Sequence, residues 1–109
     1  MEIFYYLYKI IMEIISFRKL REYFENDTNS RVALQDWYKR TEKANWDTFS
    51  DIKQTFNSVD SVGNKRYVFN IKGNHYRILA LILFKIKRVY IRWVGNHKDY
   101  DKLKDLENM

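Results

Sequence analysis

Apolar side chains follow a helical period through most of the first half of the chain. Phe17, Leu20 and Phe24 mark one face of a helix that we expect Ser16 to cap and that ends near Asn26. A second helix is predicted from the turn at 27–30 to about Ala44, with Ala33, Trp37 and Ala44 facing the core. A third, short helix is expected to be capped by Asp47 and to carry Phe49, Ile52 and Phe56 on one face.

The period changes from 3.6 to 2 after residues 57–64, which we expect to form a polar loop. Strands are predicted at Arg66–Ile71, His75–Phe84 and Val89–Val94, with a short strand at Glu13–Ile15 before the first helix. Residues 72–74 and 85–88 are expected to form hairpin turns, and residues 99–106 a short helix or frayed tail. The pattern therefore predicts an α+β domain, with two N-terminal helices on one face of a mostly antiparallel sheet of three or four strands.

The opening segment, residues 1–11, stands apart from this pattern. It is apolar and aromatic, but Glu2 and Lys9 interrupt it, and it is shorter than the roughly 20 apolar residues of a membrane span. It also lacks the basic start and small-residue cleavage site of a signal peptide. Because Met-Glu-Ile occurs at Met1 and again at Met12, we interpret residues 1–11 as an extension from an upstream start codon and residues 12–109 as one domain. The alternative is an extra helix or strand that packs on the domain.

Composition narrows the chemistry that the chain can carry. Its 109 residues include no cysteine, which excludes disulfides, zinc ribbons and thiol chemistry and fits a reducing cytoplasm. Three glycines cannot build a glycine-rich phosphate loop, and two histidines do not favour a His-rich metal site. We therefore expect neither a metal nor a cofactor.

Charge is distributed unevenly along the chain. Residues 1–61 carry nine Lys or Arg against ten Asp or Glu, whereas residues 62–109 carry eleven against four. No acidic residue occurs from Ser61 to Lys98. A surface of one sign attracts polyanions, of which RNA and DNA are the most abundant in cells. The alternative is a charged surface that only keeps the protein soluble.

Alternation along the strands predicts which side chains share a face. Arg77 is a charge within an apolar strand, and Asn70, Lys72 and Arg92 can join it in a cationic surface that donates hydrogen bonds to phosphate. Regular alternation in the last strand places Arg92 with Tyr90 and Val94, opposite Val89, Ile91 and Trp93. All three tryptophans are assigned to the core: Trp37, Trp46 and Trp93.

His97 and Tyr100 follow directly after the end of a strand, where a rigid scaffold commonly holds catalytic groups. Histidine can move protons near neutral pH, and a tyrosine among cations is expected to lose its proton more easily than usual. Metal-free RNA cleavage by the 2′-hydroxyl needs a base, an acid and cations for the phosphorane, and His97, Tyr100, Arg77 and Lys72 can supply these. The basic half has no acidic cluster that would hold Mg²⁺ for two-metal cleavage.

Ordinary structural roles are the alternative for these side chains. Arg77 would then lie over an aromatic ring or pair with a helix carboxylate such as Glu22 or Asp36, and Arg92 would form a salt bridge. Four others would be structural or solvated: His75, Lys85, Lys87 and Arg88. His97 and Tyr100 would belong to an exposed loop.

Two motifs in the second half carry a family resemblance. The sequences Y-V-F-N-I-K-G-N-H-Y-R-I at residues 67–78 and Y-I-R-W-V-G-N-H-K-D-Y-D-K at residues 90–102 resemble the HigB toxin family of bacterial toxin–antitoxin systems. The helical half agrees, with L-x-x-W-Y-K from Leu34, A-N-W from Ala44, I-K-x-x-F from Ile52 and D-x-V-G-N from Asp60. The resemblance runs from Met12 to about Leu103. Two positions depart mildly from the family: Asn96, where Thr is usual, and Asp99, where Glu is common.

This resemblance implies a RelE-like domain and a toxin of the bacterial cytoplasm. Such a toxin would be a ribosome-dependent endoribonuclease that enters the ribosomal A site and cuts translated mRNA. A HigA-type antitoxin with a helix-turn-helix domain would neutralise it. The toxin would bind operator DNA only through its complex with that antitoxin. No membrane would be involved. The alternatives are a ParE-like gyrase inhibitor, a non-catalytic RNA-binding module, and a toxin whose basic face is covered by residues 1–11.

The resemblance also implies roles for individual residues. Arg77 would contact the scissile phosphate, and His97 and Tyr100 would act as acid and base in an order that stays open. Lys72 completes the catalytic set. RNA contacts are assigned to a further group: Arg66, Asn70, Asn74, Arg92 and Lys98.

Overall fold

The computed structural model describes residues 11–109 and places three helices on one face of a five-stranded sheet. Its elements are β1 (Glu13–Ile15), α1 (Phe17–Asn26), α2 (Arg31–Glu42), α3 (Phe49–Thr55), β2 (Val59–Gly63), β3 (Arg66–Ile71), β4 (Tyr76–Leu83), β5 (Arg88–Asn96) and α4 (His97–Tyr100). Single 3₁₀ turns lie at 28–30, 84–86 and 106–108. The predicted α+β class is confirmed. The predicted N-terminal extension lies outside the described residues, apart from Ile11.

The sheet has the strand order β1-β5-β4-β3-β2. β2 to β5 are antiparallel neighbours, whereas β1 pairs with β5 in parallel. The prediction of three or four strands is wrong, because the sheet has a fifth strand. That strand is β2, which lies in the segment expected to be a polar loop. Val59 is buried and pairs with Phe69, and Val62 is half-buried, so two valines anchor this edge strand while its other residues are exposed.

Two predicted helix caps are wrong. Ser16 precedes α1 with a φ of 79° and makes no side-chain capping bond. Asp47 does not cap α3; Thr48 does, by accepting from the backbone N–H of Asp51. The Asp51 carboxylate in turn accepts from the backbone N–H of Thr48, which completes a capping box.

Aromatic rings fill the core between the helices and the sheet. Trp37 and Trp46 are each 1% exposed, as predicted for core residues. Trp37 lies edge-on to Phe69 with ring centroids 5.3 Å apart, and Phe56 lies 5.4 Å from the same ring. This packing holds the helices against the face of the sheet that carries Phe69. Functional side chains must therefore lie at the end of the sheet or on its other face.

A bulge in β5 changes which side chains reach that other face. Leu79 of β4 pairs with Trp93, and the next residue, Ala80, pairs with Ile91, so Arg92 is the extra residue. Alternation therefore shifts by one position. We call the face away from α1–α3 the second face; its β3–β5 residues are Arg66, Val68, Asn70, Arg77, Leu79, Leu81, Leu83, Arg88, Tyr90, Trp93 and Gly95.

Candidate active site on the second face

Arg77 lies in the middle of a row that crosses three strands. Its cross-strand partners are Asn70 of β3 and Gly95 of β5. Directly paired residues in an antiparallel sheet project to the same side, so the Asn70 amide and the Arg77 guanidinium share the second face. The predicted cationic, hydrogen-bonding surface therefore contains at least this pair.

The guanidinium of Arg77 is fixed from one side only. Nη1 donates to the carbonyl oxygens of Asn74, at 2.8 Å, and Tyr76, at 3.1 Å. Within residues 11–109, Nε and Nη2 have no hydrogen-bond partner. Nε–H and Nη2–H form one of the two parallel donor pairs of a guanidinium, which matches two phosphate oxygens. Arg77 is thus held in place with one donor pair available for an anion.

Tyr100 of α4 lies against Arg77, whose guanidinium carbon is 5.6 Å from the centre of the tyrosine ring. The structural alternative for Arg77, an aromatic contact, is thus also present. Burial raises the pKa of Tyr100 above its usual value, and the positive charge of Arg77 opposes that shift only in part. The expectation that neighbouring cations make this hydroxyl lose its proton more easily is wrong. At neutral pH Tyr100 therefore carries its proton and can donate it.

Trp93 is the residue of this site that the sequence did not predict. Its ring centroid lies 6.1 Å from that of Tyr100. Its indole also lies over Gly95, since a Cβ built on that glycine would be 2.5 Å from the indole carbons. Trp93 is half-buried on the second face rather than in the core. Only the β5 bulge puts it there, and regular alternation gives no sign of the bulge.

His97 begins α4 and lies at the end of the sheet. Its backbone N–H donates to the carbonyl of His75 at 3.1 Å. The exposed His97 side chain and Lys98 line a pocket of about 280 Å³ together with Asp27 and Tyr76. His97 and Tyr100 are three residues apart in one helical turn, a spacing that makes side chains neighbours. α4 thus presents an imidazole and a phenol at adjoining positions.

The carboxylate of Asp27 accepts hydrogen bonds from two tyrosines beside that pocket. Tyr76 donates to Asp27 Oδ1 at 2.9 Å, and Tyr23 donates to Oδ2 at 3.3 Å. Burial, followed by the charge of Asp27, raises the pKa of Tyr23 to about 12. Burial likewise raises the pKa of Tyr76. These hydroxyls remain protonated, and they tie the end of α1 to β4 beside Arg77.

Two predicted site residues are engaged away from the Arg77 row. Lys72 has a φ of 52° in the turn between β3 and β4, and its Nζ donates to the carbonyl of Asn29 at 3.0 Å. Arg66 donates from Nε to the carbonyl of Met109 and from Nη1 to that of Asn64. Lys72 therefore points to the helix side of the turn.

The other predicted RNA contacts are spread around the site. Asn70 donates from Nδ2 to Ser58 Oγ at 2.6 Å, and Asn74 contributes its carbonyl to Arg77. Arg92, at the bulge, lines a separate pocket of about 350 Å³ with Lys19 and Glu22 of α1. The structure therefore joins Arg77, Tyr100 and Asn70 on one face, and sets His97 with Lys98 at its edge and Arg92 beside α1.

No group of three or more His, Asp or Glu side chains within residues 11–109 is placed to hold a metal ion. No helix in the same range is long and apolar enough to cross a membrane.

A basic α+β domain with an available arginine donor pair beside a protonated tyrosine has the features of a phosphate-binding protein. A family model described as HigB_toxin, the RelE-like toxic component of a toxin–antitoxin system, matches residues 30–103. The chain belongs to this family, which confirms the resemblance read from its motifs. Membership implies a cognate antitoxin as partner.

Two curated relatives show how far the similarity extends. An "mRNA interferase HigB" of Escherichia coli O6:H1 (strain CFT073) is 32% identical over 94 residues, which cover 84% of this chain and 91% of the relative. An "mRNA interferase toxin HigB" of Escherichia coli K12 is 30% identical over 92 residues, covering 83% and 88%. The similarity thus spans most of both partners.

Proposed function

We propose that this chain is an endoribonuclease toxin, an mRNA interferase that cuts translated mRNA in the ribosomal A site without a metal ion. The observation that carries the proposal is the Arg77 guanidinium, which is anchored through Nη1 and has Nε and Nη2 available beside the protonated Tyr100. The names of its relatives support the same activity.

The proposed reaction is attack of an RNA 2′-hydroxyl on its own phosphate. The imidazole of His97 takes the 2′-hydroxyl proton while the bond from O2′ to phosphorus forms. The bond from phosphorus to O5′ then breaks, and Tyr100 gives its proton to O5′. The products are a 2′,3′-cyclic phosphate and a 5′-hydroxyl. Solvent takes the proton from His97 and returns one to Tyr100. The raised pKa of Tyr100 favours this order of roles, because a phenol that keeps its proton cannot serve as the base.

Arg77 acts in this scheme on the charge that develops at phosphorus. Nε and Nη2 donate to the two non-bridging oxygens, whose negative charge increases in the phosphorane. Lys98, at the edge of the site, holds a flanking phosphate, whereas Lys72 is engaged by the Asn29 carbonyl and Arg92 lies beside α1. The ribosome supplies the alignment of the message. A HigA-type antitoxin with a helix-turn-helix domain inhibits the toxin in the bacterial cytoplasm, and operator DNA is bound only through that complex.

The test maps 5′ ends of a defined message in a purified translation system, with and without ribosomes and, in the ribosome-free reaction, with EDTA. Wild type is compared with Arg77→Ala, Arg77→Lys and a matched control, Arg21→Ala, which removes an exposed arginine of α1. Loss of a single donor of this kind costs about 10²–10³-fold in rate, and lysine is expected to restore little because it lacks the donor fork.

Each outcome of this experiment decides the proposal. Ribosome-dependent cuts that Arg21→Ala retains and Arg77→Ala loses would support it. Circular dichroism checks the fold of each variant, since Arg77 also holds the turn at Asn74. No cuts from folded wild type would overturn the proposal and direct attention to gyrase or to RNA binding alone.

A further inference from the structure

Trp93, Tyr100 and Arg77 form a cluster on the second face, in which the tyrosine ring lies near both the indole and the guanidinium. The separations are 6.1 Å from the Trp93 ring to the Tyr100 ring and 5.6 Å from that ring to the Arg77 guanidinium carbon. An aromatic surface and an anion-binding group therefore belong to the same cluster. A nucleotide has the same two parts, a flat base and a phosphate.

We infer that Trp93 is a stacking residue for the base next to the phosphate that Arg77 binds. This inference rests on the proposed function, because it takes single-stranded RNA as the ligand. Stacking on an aromatic ring accepts every base, since each has a π face. Trp93 therefore contributes affinity and position, and it does not read the sequence.

The local backbone supports this role over a purely structural one. Gly95 has no side chain, so the indole can lie against the strand at the residue that pairs with Arg77. The bulge at Arg92 turns Trp93 away from the core, where Trp37 and Trp46 are each 1% exposed. An indole needed only for stability would gain more from that buried side of the sheet.

Tryptophan fluorescence separates this site from the rest of the protein. The probe is a short 2′-O-methyl RNA, which lacks the nucleophilic hydroxyl, and its binding is followed independently by anisotropy. We expect the RNA to quench wild-type emission and to shield it from acrylamide, because Trp93 is the only half-exposed tryptophan among the three, all of which lie within residues 11–109. Trp93→Phe removes this signal.

Affinity is measured with the same probe and with a copy that carries one abasic position. Trp93→Leu is expected to bind the intact RNA roughly 10-fold more weakly, and Trp93→Phe to recover most of that loss. Wild type should bind the RNA that lacks the stacking base as weakly as Trp93→Leu binds the intact RNA. Combining the variant with the abasic RNA should cause no further loss of affinity. Tyr90→Leu is the matched control, since it removes a ring from the same strand and face and should leave binding unchanged.

Equal affinity of wild type and Trp93→Leu for intact RNA would overturn the inference, and so would losses of affinity that add.

If anisotropy shows no binding away from the ribosome, a second experiment measures cleavage of messages in which the abasic site occupies each position of the A-site codon in turn. A single abasic position that slows wild type and has no further effect on Trp93→Leu would then support stacking; additive effects would reject it. Cleavage that Arg77→Ala loses and Trp93→Leu keeps in full would retain the proposed function and exclude this role.

Discussion

Gly95 is the position where a single added methyl group would disturb the site most directly. A Cβ at this residue would approach the Trp93 indole to 2.5 Å, so the ring must move. We expect Gly95→Ala to lower the free energy of unfolding by about 1–3 kcal/mol, the usual cost of forcing atoms into an occupied space. Denaturant unfolding of the two proteins measures the difference.

A double-mutant cycle assigns that cost to the indole. In a Trp93→Leu background the same glycine substitution should cost less, because the clashing ring is gone. Gly73→Ala is the control: its φ of 56° strains any other residue by about 1–2 kcal/mol, while nothing lies within 4 Å of its added Cβ. Its cost should therefore be the same in both backgrounds. An equal cost of Gly95→Ala with and without Trp93 would show that the strain comes from elsewhere.

At this scale the assignment of Arg77, His97 and Tyr100 as reacting groups stays a prediction, and the sequence did not predict all of the residues around them. Arg77 stood out as a charge in an apolar strand, and the structure joins it to Tyr100. Regular alternation along β5 would place Trp93 on the face of Val89 and Ile91, in line with the predicted core role, but the bulge at Arg92 moves it to the second face. Lys72 was expected on the face of Arg77, whereas a left-handed turn residue with its Nζ on a carbonyl cannot be foreseen from spacing.

Among the elements, α3 has the most clearly defined start. Thr48 accepts from the N–H of Asp51, while the Asp51 carboxylate accepts from the backbone N–H groups of Asp47 and Thr48. We expect Thr48→Ala to lower the free energy of unfolding by about 1 kcal/mol, as other lost caps do. Thr28→Ala is a suitable control for denaturant unfolding, because Thr28 begins a 3₁₀ turn where no side-chain cap is made. Equal losses in the two variants would contradict the capping role.

The same box makes stability depend on acidic pH. Hydrogen bonds from the backbone of Asp47 and Thr48 hold the pKa of Asp51 below its ordinary value. The folded state therefore favours the carboxylate, so this stabilisation is present above the ordinary pKa and is lost as pH falls through the lower, folded value. Asp51→Asn should show a smaller decrease in the free energy of unfolding than wild type when pH is lowered from 5 to 3. A parallel decrease in both proteins would exclude the effect.

Elements with strong periodicity were predicted closely, and weak ones were not. α1 and β3 match their expected spans because the first has a clear apolar face and the second alternates regularly. β2 was missed because its sequence, V-D-S-V-G, does not alternate between apolar and polar residues. An edge strand of this kind gains its order from pairing with β3 rather than from its own pattern. Lys87, expected to be solvated, instead donates to the carbonyl of Trp46 at 2.9 Å and binds the Asp47 carboxylate.

For the whole molecule, Met12 is the first described residue that contacts the core. It is 3% exposed, its N–H donates to the carbonyl of Ala44, and its sulfur accepts from the N–H of Trp46. We expect a chain that starts at Met12 to unfold at the same denaturant concentration as the full chain and to cleave at the same rate. A chain that starts at Glu13 loses a buried side chain, which costs about 2–5 kcal/mol. Faster cleavage by the Met12 chain would indicate that residues 1–11 cover the basic face.

Buried tyrosines make the fold sensitive to alkaline pH. Burial, followed by the charge of Asp27, raises the pKa of Tyr23 to about 12, and burial also raises that of Tyr76, Tyr67 and Tyr38. An unfolded chain releases these protons near pH 10, before the folded one does, so the free energy of unfolding must fall as pH rises from 10 toward 12. Tyr23→Phe removes the largest of these shifts and should flatten that fall while leaving the slope below pH 9 unchanged. Urea unfolding of the two proteins across this pH range measures both slopes. An identical alkaline slope in Tyr23→Phe and wild type would mean that folding does not raise the pKa of Tyr23, and that its hydroxyl is not held by burial and by the carboxylate of Asp27.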